Sequence, residues 1–554
     1  MEFNRCIHLF GAGVGQTVLK LDDYAAGFSG DSHRPAVSFI RTEKNGSNVA
    51  MQNSFERITI DTGSGNPSAV ALEFFGNNSG AVRDVELRTS DPDRRGYAGL
   101  HIGHWNASGV LTQRLKVHGF DYGVRVDHQR LYTAYEHLEL THQRVAGFRL
   151  DGNVVAVRGL RSVNAVSAVH VTGGSSSITL LDSELTGGDP GHAAVEVEAG
   201  FLTAADVTTS GYGYALRVAG EPVGPVDRIN RYATHEVATG GATYADHRRL
   251  PVREPPAVID PDDADGVVHV ADHGATGNGE TDDTNALQRA MDAGGAVVRF
   301  HPGQYRIDTQ ITVPARVEAI DFGFVNLIDT RVPSDVTDPI AVFRVVGETD
   351  RPLLMRNLFS MVEFYSSRYL IEHTCVRPMV VRDVHVQAAA VYFNSVPGGT
   401  VFLENCCNTV GDSARRLPGF VFRRQTVFAR QFNPERASPQ VINDGSDLWV
   451  LGFKTEVDTA SIHTIHGGRT EFWGGILNLY QYGPAHEPQV FNHDASTLFA
   501  CATTGSGAEH PATCVARDMQ GGSKTEFDWC DFPTRLNEGT ENCVALPMVL
   551  LPKQ

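Results

Sequence analysis

The sequence has no run of about 18 apolar residues, which excludes a membrane-spanning helix. Its opening, MEFNRCIHLFGAGVGQTVLKL, has neither a basic start nor a long apolar stretch, so it is not an export signal. Among 8 cysteines there is no Cys-x-x-Cys, and Cys406 and Cys407 are adjacent, so no zinc-type spacing exists. Cys501, Cys514, Cys530 and Cys543 crowd the C-terminal end, where one or two disulfides would form in an oxidising compartment; free thiols are the alternative. A Gly-x-Ser-x-Gly elbow and a phosphate-binding loop are both missing, which removes the serine-hydrolase and nucleotide-enzyme readings. Gly11, Gly13 and Gly15 are wrongly spaced for a dinucleotide fingerprint and no helix follows them, so they read as a turn. Positive charge is also scarce. With 47 Lys and Arg against 65 Asp and Glu, the formal charge is -18, which disfavours nucleic acid as a partner. His101 and His104, beside Trp105, lack metal-ligand partners by spacing and read as a loop face. No metal and no cofactor are implied.

What the chain has is repetition. From Phe55 to Val218, segments such as FERITID, VRDVELR, TQRLKVHGF and SITLLDSELTGG alternate apolar and polar residues. Each is followed by a second short strand, such as AVALEFF, AGLHIGH, YGVRVDH or AAVEVEA. The period, roughly 22 to 30 residues, is that of a solenoid coil with two or three strands. Alternation places Ile58 and Ile60, Val85 and Leu87, Leu115 and Val117, and Leu138 and Leu140 in stacked interior rows. The 56 glycines fit a turn-rich β protein.

Glu221 to Asp265 carries Pro222, Pro225, Pro251, Pro255, Pro256 and Pro261 without repetition and reads as a linker. Val268 to Pro314 then opens a second solenoid. Gly274, Gly277 and Gly279 permit a tight turn, and Thr281 or Asp282 provides an N-cap. Ala286, Leu287, Ala290 and Met291 form one apolar helical stripe, and Gly294-Gly295 ends it. A single helix followed only by strands is expected to plug the end of a β-structure. Later coils include MVVRDVHVQ, GTVFLENC, SDLWVLGFKTE and GRTEFWGGILNLY. The expected organisation is a first β-helix over 1–220, a linker over 221–266, a second β-helix over 267–498 and a closing segment over 499–554.

The run GATGNGETDDTNALQRAMDAGGAVVRFHPGQYRI resembles the N-terminal capping module of the pectate-lyase-like superfamily. That resemblance implies an all-β protein of two tandem right-handed parallel β-helices, the second capped by a short helix. No such cap precedes the first coils, so an upstream segment carrying one, and an export signal, is expected. Two β-helices joined by a long linker resemble glycoside hydrolase family 55, largely exo-acting β-1,3-glucanases whose cleft lies between the solenoids. The strongest local match is VFARQFNPERASPQVINDGSDLWVLGFKTEVDTASIHTIHGGRTEFWGG, residues 427 to 475. By this resemblance Glu456 is the general acid and Glu435 helps to hold the attacking water. Gln129 matches the family's water-positioning glutamine, and Asn153 stands where the family has a hydroxyl. Trp449 and Trp473 are candidate sugar-stacking rings, and His463, His466 and Arg469 candidate hydroxyl binders.

The chemistry also follows from the residues. Inverting hydrolysis needs one carboxylic acid for the leaving oxygen and groups on the opposite face that activate water. Glu435 and Glu456 lie about one coil apart, so stacking at roughly 4.8 Å would raise one pKa by like-charge repulsion. The expected partner is a polysaccharide acted on by a secreted or cell-surface monomer. Alternatives on the same fold are a polysaccharide lyase, for which Asp262-Asp263 and Arg415-Arg416 are poor substitutes for the needed groups, and a β-helix that binds glycan without cleaving it.

Overall fold

The computed structural model describes residues 7–550 apart from 40–49, 105–106, 128–131, 236–243, 330–339, 361–367, 388–389, 410–416, 436, 457–459, 480–487, 506–515, 528–534, 538–539 and 545–547. The chain is an all-β solenoid with two regions whose strands belong to separate sheets. Strands up to Ala233 form a 13-stranded and a 9-stranded sheet, and strands from Val268 onward form sheets of 13, 10 and 3 strands. Nearly all neighbours pair in parallel, each strand with the equivalent strand one coil away.

The alternating pattern sets the interior. Ile60 aligns with Leu87, Leu87 with Val117, and Val117 with Leu140, and all four are buried. In the second region the interior row is aromatic, with Phe453 at 6.1 Å from Phe432 and 4.5 Å from Phe472 between ring centroids. Most long strands also turn a corner at a residue in the left-handed region. In the first region these include Asp84, Arg114, His137, Gly159, Asp182 and Asp206; in the second they include Asn357, Asp383, Asn405, Gln431, Gly452 and Gly474. A left-handed residue inside a strand reverses which side chains face inward. The same strand can therefore line the core at one end and present polar groups at the other.

The helix Thr284–Asp292 buries Ala286, Leu287, Ala290 and Met291, the stripe expected from the sequence. Asp282 Oδ1 accepts from the Thr284 backbone N–H at 3.0 Å, and the Asp283 carboxylate accepts from the Thr276 and Gly277 backbones. The N-cap is thus Asp283, not Thr281 or Asp282 as expected, and its carboxylate holds the preceding turn, not the first turn of the helix. The helix packs against Val270–His273 and the strand Ile311–Val313, covering the start of the second stack.

Each region ends in reversed strands. Glu221–Val223 and Arg228–Ala233 run antiparallel to Tyr214–Val218 and Phe201–Ser210. Ser523–Phe527 and Thr540–Val544 do the same for Ala516–Gln520 and Ser496–Gly505. Two stretches read from sequence as linker and closing segment thus contribute strands that cover open sheet edges. Cys501 is a buried free thiol, as are Cys375, Cys406 and Cys407, so Cys501 takes no part in a disulfide. His101 sits on a strand, with Nε2 2.5 Å from Asp127 Oδ1, and not on the loop expected.

The two regions meet along a seam formed by one face of each 13-stranded sheet. A Cβ at Gly452 would stand 1.2 Å from the Tyr132 hydroxyl, and one at Gly474 would stand 2.8 Å from Ala156 Cβ. Glycine is required there by close approach as well as by backbone angle. The connecting chain runs along the same seam: His247 Nε2 meets Glu471 Oε1 at 2.8 Å, and Glu254 accepts from Arg158 at 2.8 Å.

Candidate active site

The strands Thr426–Glu435 and Asp447–Glu456 are neighbours in register, Phe432 opposite Phe453, and that register continued to their ends sets Glu435 beside Glu456. Phe432 and Phe453 point inward, so Asn433 and Glu435 on one rung, and Lys454 and Glu456 on the next, point to the seam face. The Lys454 ammonium lies between the carboxylates, donating to Glu435 Oε1 at 2.5 Å and to Glu456 Oε1 at 2.7 Å. Its third hydrogen bond, 2.8 Å, goes to Asn78 Oδ1 of the first region. Lysine has three donors, and all are used.

The expected electrostatics are corrected by this arrangement. The carboxylates are neighbours as the coil spacing requires, but a cation separates them. Burial pushes the Glu435 carboxyl above its usual range, Lys454 opposes that, and the repulsion from Glu456 is the smaller contribution. Lys454 is itself held charged, above the ordinary lysine range, by the two glutamates despite complete burial. Exposure separates the acids: the Glu435 side chain is 2% accessible and that of Glu456 is 23%. Glu456 is the carboxyl open to solvent.

A polar layer lies beneath. Asn433 Nδ2 donates to the Asn78 carbonyl at 3.3 Å and contacts Cys407 Sγ at 3.2 Å. His385 shares a 3.1 Å hydrogen bond with Ser79 Oγ through Nδ1, and its pKa is lowered to about 3 by burial and by Lys454. Burial also pushes the Cys407 thiol well up. Cys407 Sγ lies 3.6 Å from His385 Nε2, but burial keeps both side chains neutral, so the contact is not an ionised nucleophile–base pair.

The remaining candidates are dispersed. Gln129 lies outside the described residues. Asn153 is buried where the strand Val154–Arg158 begins; its Oδ1 accepts from the Val154 backbone at 2.7 Å, and its Nδ2 is buried without a hydrogen-bond partner. Trp449 and Trp473 are corrected from sugar platforms to seam core, because both are 0% exposed. The Trp449 ring is covered by the Arg158 and Arg430 guanidiniums at 5.8 and 5.5 Å; Arg249 lies over Trp473 at 5.3 Å, and its indole N–H donates to Glu471. His466 and Arg469 are also displaced. Arg469 pairs with Asp447, the first residue of the strand that ends in Glu456, and His466 with Asp444. Some nine residues of strand at ~3.3 Å each, roughly 30 Å of chain with a corner at Gly452, separate the Arg469 end from Glu456. His463, on Ile462–Ile465, belongs to the other sheet and lies near Phe491.

Two members of the cluster were missed. Lys454 stands two residues before Glu456, and strand alternation alone puts it on the same face. Asn78 carries no such signal, because its role depends on how the two regions dock. Among the described residues, Glu136, His137 and Glu254 are the group whose ligand atoms lie close enough to share a metal. Arg158 and Arg430 already hold both carboxylates, at 2.6 Å each for Glu136. A cation there would meet two guanidiniums, so these residues do not fit a metal.

The cap segment finds a counterpart among known families. Residues 267–320 match the family model described as rhamnogalacturonase A/epimerase, pectate lyase-like. This segment spans the cap helix and the first coils of the second region and contains neither Glu435 nor Glu456. No curated protein matches the chain. A pectate-lyase-like fold is consistent with a carbohydrate-active enzyme, and the match concerns the scaffold.

Proposed function

We propose that the protein is an inverting glycoside hydrolase acting on β-1,3-glucan or a related polysaccharide, built on tandem right-handed β-helices. The supporting observation is the placement of Glu435 and Glu456 on neighbouring rungs at the edge of the seam, with Glu456 turned to solvent. In this reading Glu456 protonates the leaving oxygen, and Glu435 lies behind it as a fixed carboxyl of raised proton affinity. Of the two carboxyls Glu435 is the less accessible, at 2%, and in this reading it helps to hold the attacking water, as the resemblance implies. A polymeric substrate is in keeping with a secreted or surface-exposed monomer. A lyase reading is less well supported, because Lys454 is buried and held charged and so cannot take a proton from substrate.

The test is reducing-sugar release from laminarin, with pectate, rhamnogalacturonan and xylan alongside and Glu456→Gln as control. Release from laminarin, lost in the variant, supports the full reading. Release from another glycan with the same loss keeps the acid and changes the substrate. Undiminished turnover in Glu456→Gln refutes the assignment.

A non-catalytic reading has one observation in its favour: all three Lys454 donors are used within the seam, as in a purely structural clamp. It predicts glycan binding by calorimetry with no release from any substrate.

A further inference from the structure

The cluster at the end of the seam holds one cation for two carboxylates, and this ratio has chemical consequences. With both glutamates ionised and Lys454 charged, the group carries one net negative charge in a largely desolvated place, a costly state. A single proton relieves it. Which carboxyl takes that proton depends on how the ammonium divides its charge, hence on where it sits between Glu435 Oε1 at 2.5 Å and Glu456 Oε1 at 2.7 Å. Neither glutamate fixes that position alone. The third bond does, and it comes from the other region of the chain: Asn78 Oδ1, 2.8 Å from the ammonium. Asn78 is itself held in the left-handed conformation (φ 59°), and its carbonyl accepts from Gln431 and Asn433.

We propose that Lys454 is a positioning residue that divides one proton between Glu435 and Glu456, and that Asn78 holds it in place, so that the acid site is completed across the seam. The groups facing the ammonium are Glu435, Glu456 and Asn78, with His385 and Cys407 behind them, both neutral. Proton uptake therefore falls on the two glutamates. If Lys454 loses its charge, both carboxyls lose their counter-ion and bind protons at higher pH. If Glu435 loses its charge, Glu456 keeps the whole ammonium and binds its proton at lower pH. A side chain that only fills space would produce neither shift. The catalytic meaning rests on the hydrolase reading, but the charge division does not.

The experiment is an infrared titration of the carboxyl C=O band in the full chain without substrate, the Glu456 contribution being assigned by its loss in Glu456→Gln. In Lys454→Gln the midpoint is expected to rise by roughly one to three pH units, with Lys454→Arg close to the wild type. In Glu435→Gln the Glu456 midpoint is expected to fall. Asn78→Ala is expected to move the Glu456 midpoint without altering the charge count. Should Lys454→Gln fail to fold, the Glu435→Gln and Asn78→Ala titrations decide. Unchanged midpoints in the folded variants overturn the proposal. Because no substrate enters the measurement, shifted midpoints in a protein inactive on every glycan would retain this cluster and remove the hydrolase reading.

Discussion

Arg430 and Glu136 face each other across the seam, Nε to Oε2 at 2.6 Å, with side chains 0% and 1% accessible. Their strands belong to different regions of the chain, more than half its length apart. The pair lies over Trp449 and is extended by Arg158 and Glu254, whose carboxyl is lowered to about 2 by its histidine and arginine neighbours despite burial.

Breaking such a pair leaves a buried charge without compensation. Arg430→Met or Glu136→Leu alone is expected to cost about 3–5 kcal/mol in urea denaturation. The double replacement Arg430→Met with Glu136→Leu is expected to cost less than the two singles together. Additive losses would count against a direct pairing.

Close approach makes a second prediction. Gly452→Ala places a methyl against the Tyr132 hydroxyl at a positive φ of 84°, and an expected loss of about 2–4 kcal/mol follows. In a Tyr132→Ala background the same change should cost less, because only the backbone strain remains. Thermal melts of the four proteins in the cycle measure this.

Acid sensitivity follows from buried histidines. His373 and His385 are lowered to about 4 and about 3, chiefly by burial, from an unfolded value near 6.5. Below pH 6.5 the unfolded chain binds their protons and the folded chain does not, so stability falls as pH falls through the window from 6.5 toward 4 and 3. The slope is up to ~1.4 kcal/mol per pH unit for each histidine. His385→Asn should flatten the fall in urea midpoint between pH 6.5 and 4. An unchanged slope would show that this ring is accessible to protons in the native state.

The helical plug is testable by truncation. Leu287 is 0% exposed, so Leu287→Ala is expected to cost about 2–5 kcal/mol and to expose the first coils of the second region to proteolysis.

Alternation in the strands was legible because each apolar row, such as Ile60, Leu87 and Val117, is a local two-residue pattern repeated once per coil. The cap was legible because Ala286, Leu287, Ala290 and Met291 keep helical spacing. Glu435 and Glu456 could be placed together because coil length carries one into register with the next. Lys454 was within reach of the same reasoning, two residues from Glu456. The indoles of Trp449 and Trp473 were misread because an outward-facing position in one solenoid becomes interior when a second solenoid lies against it. His466 and Arg469 were misread because nearness in sequence to Glu456 spans a whole strand in space. Docking between distant strands leaves no periodic trace, and Asn78 was hidden for that reason.

Gln431, Gly452 and Gly474 occupy successive rungs of one column, and Tyr132 fits against the middle one. If one solenoid slid past the other by a rung in one direction, the tyrosine would meet the long side chain of Gln431. The column therefore works as a stop against slippage in that direction. A stack of near-identical coils, which has many equivalent positions for a neighbour, is thereby barred from one of them. Asn78 and Lys454 meet at the end of the seam in the register that this stop protects.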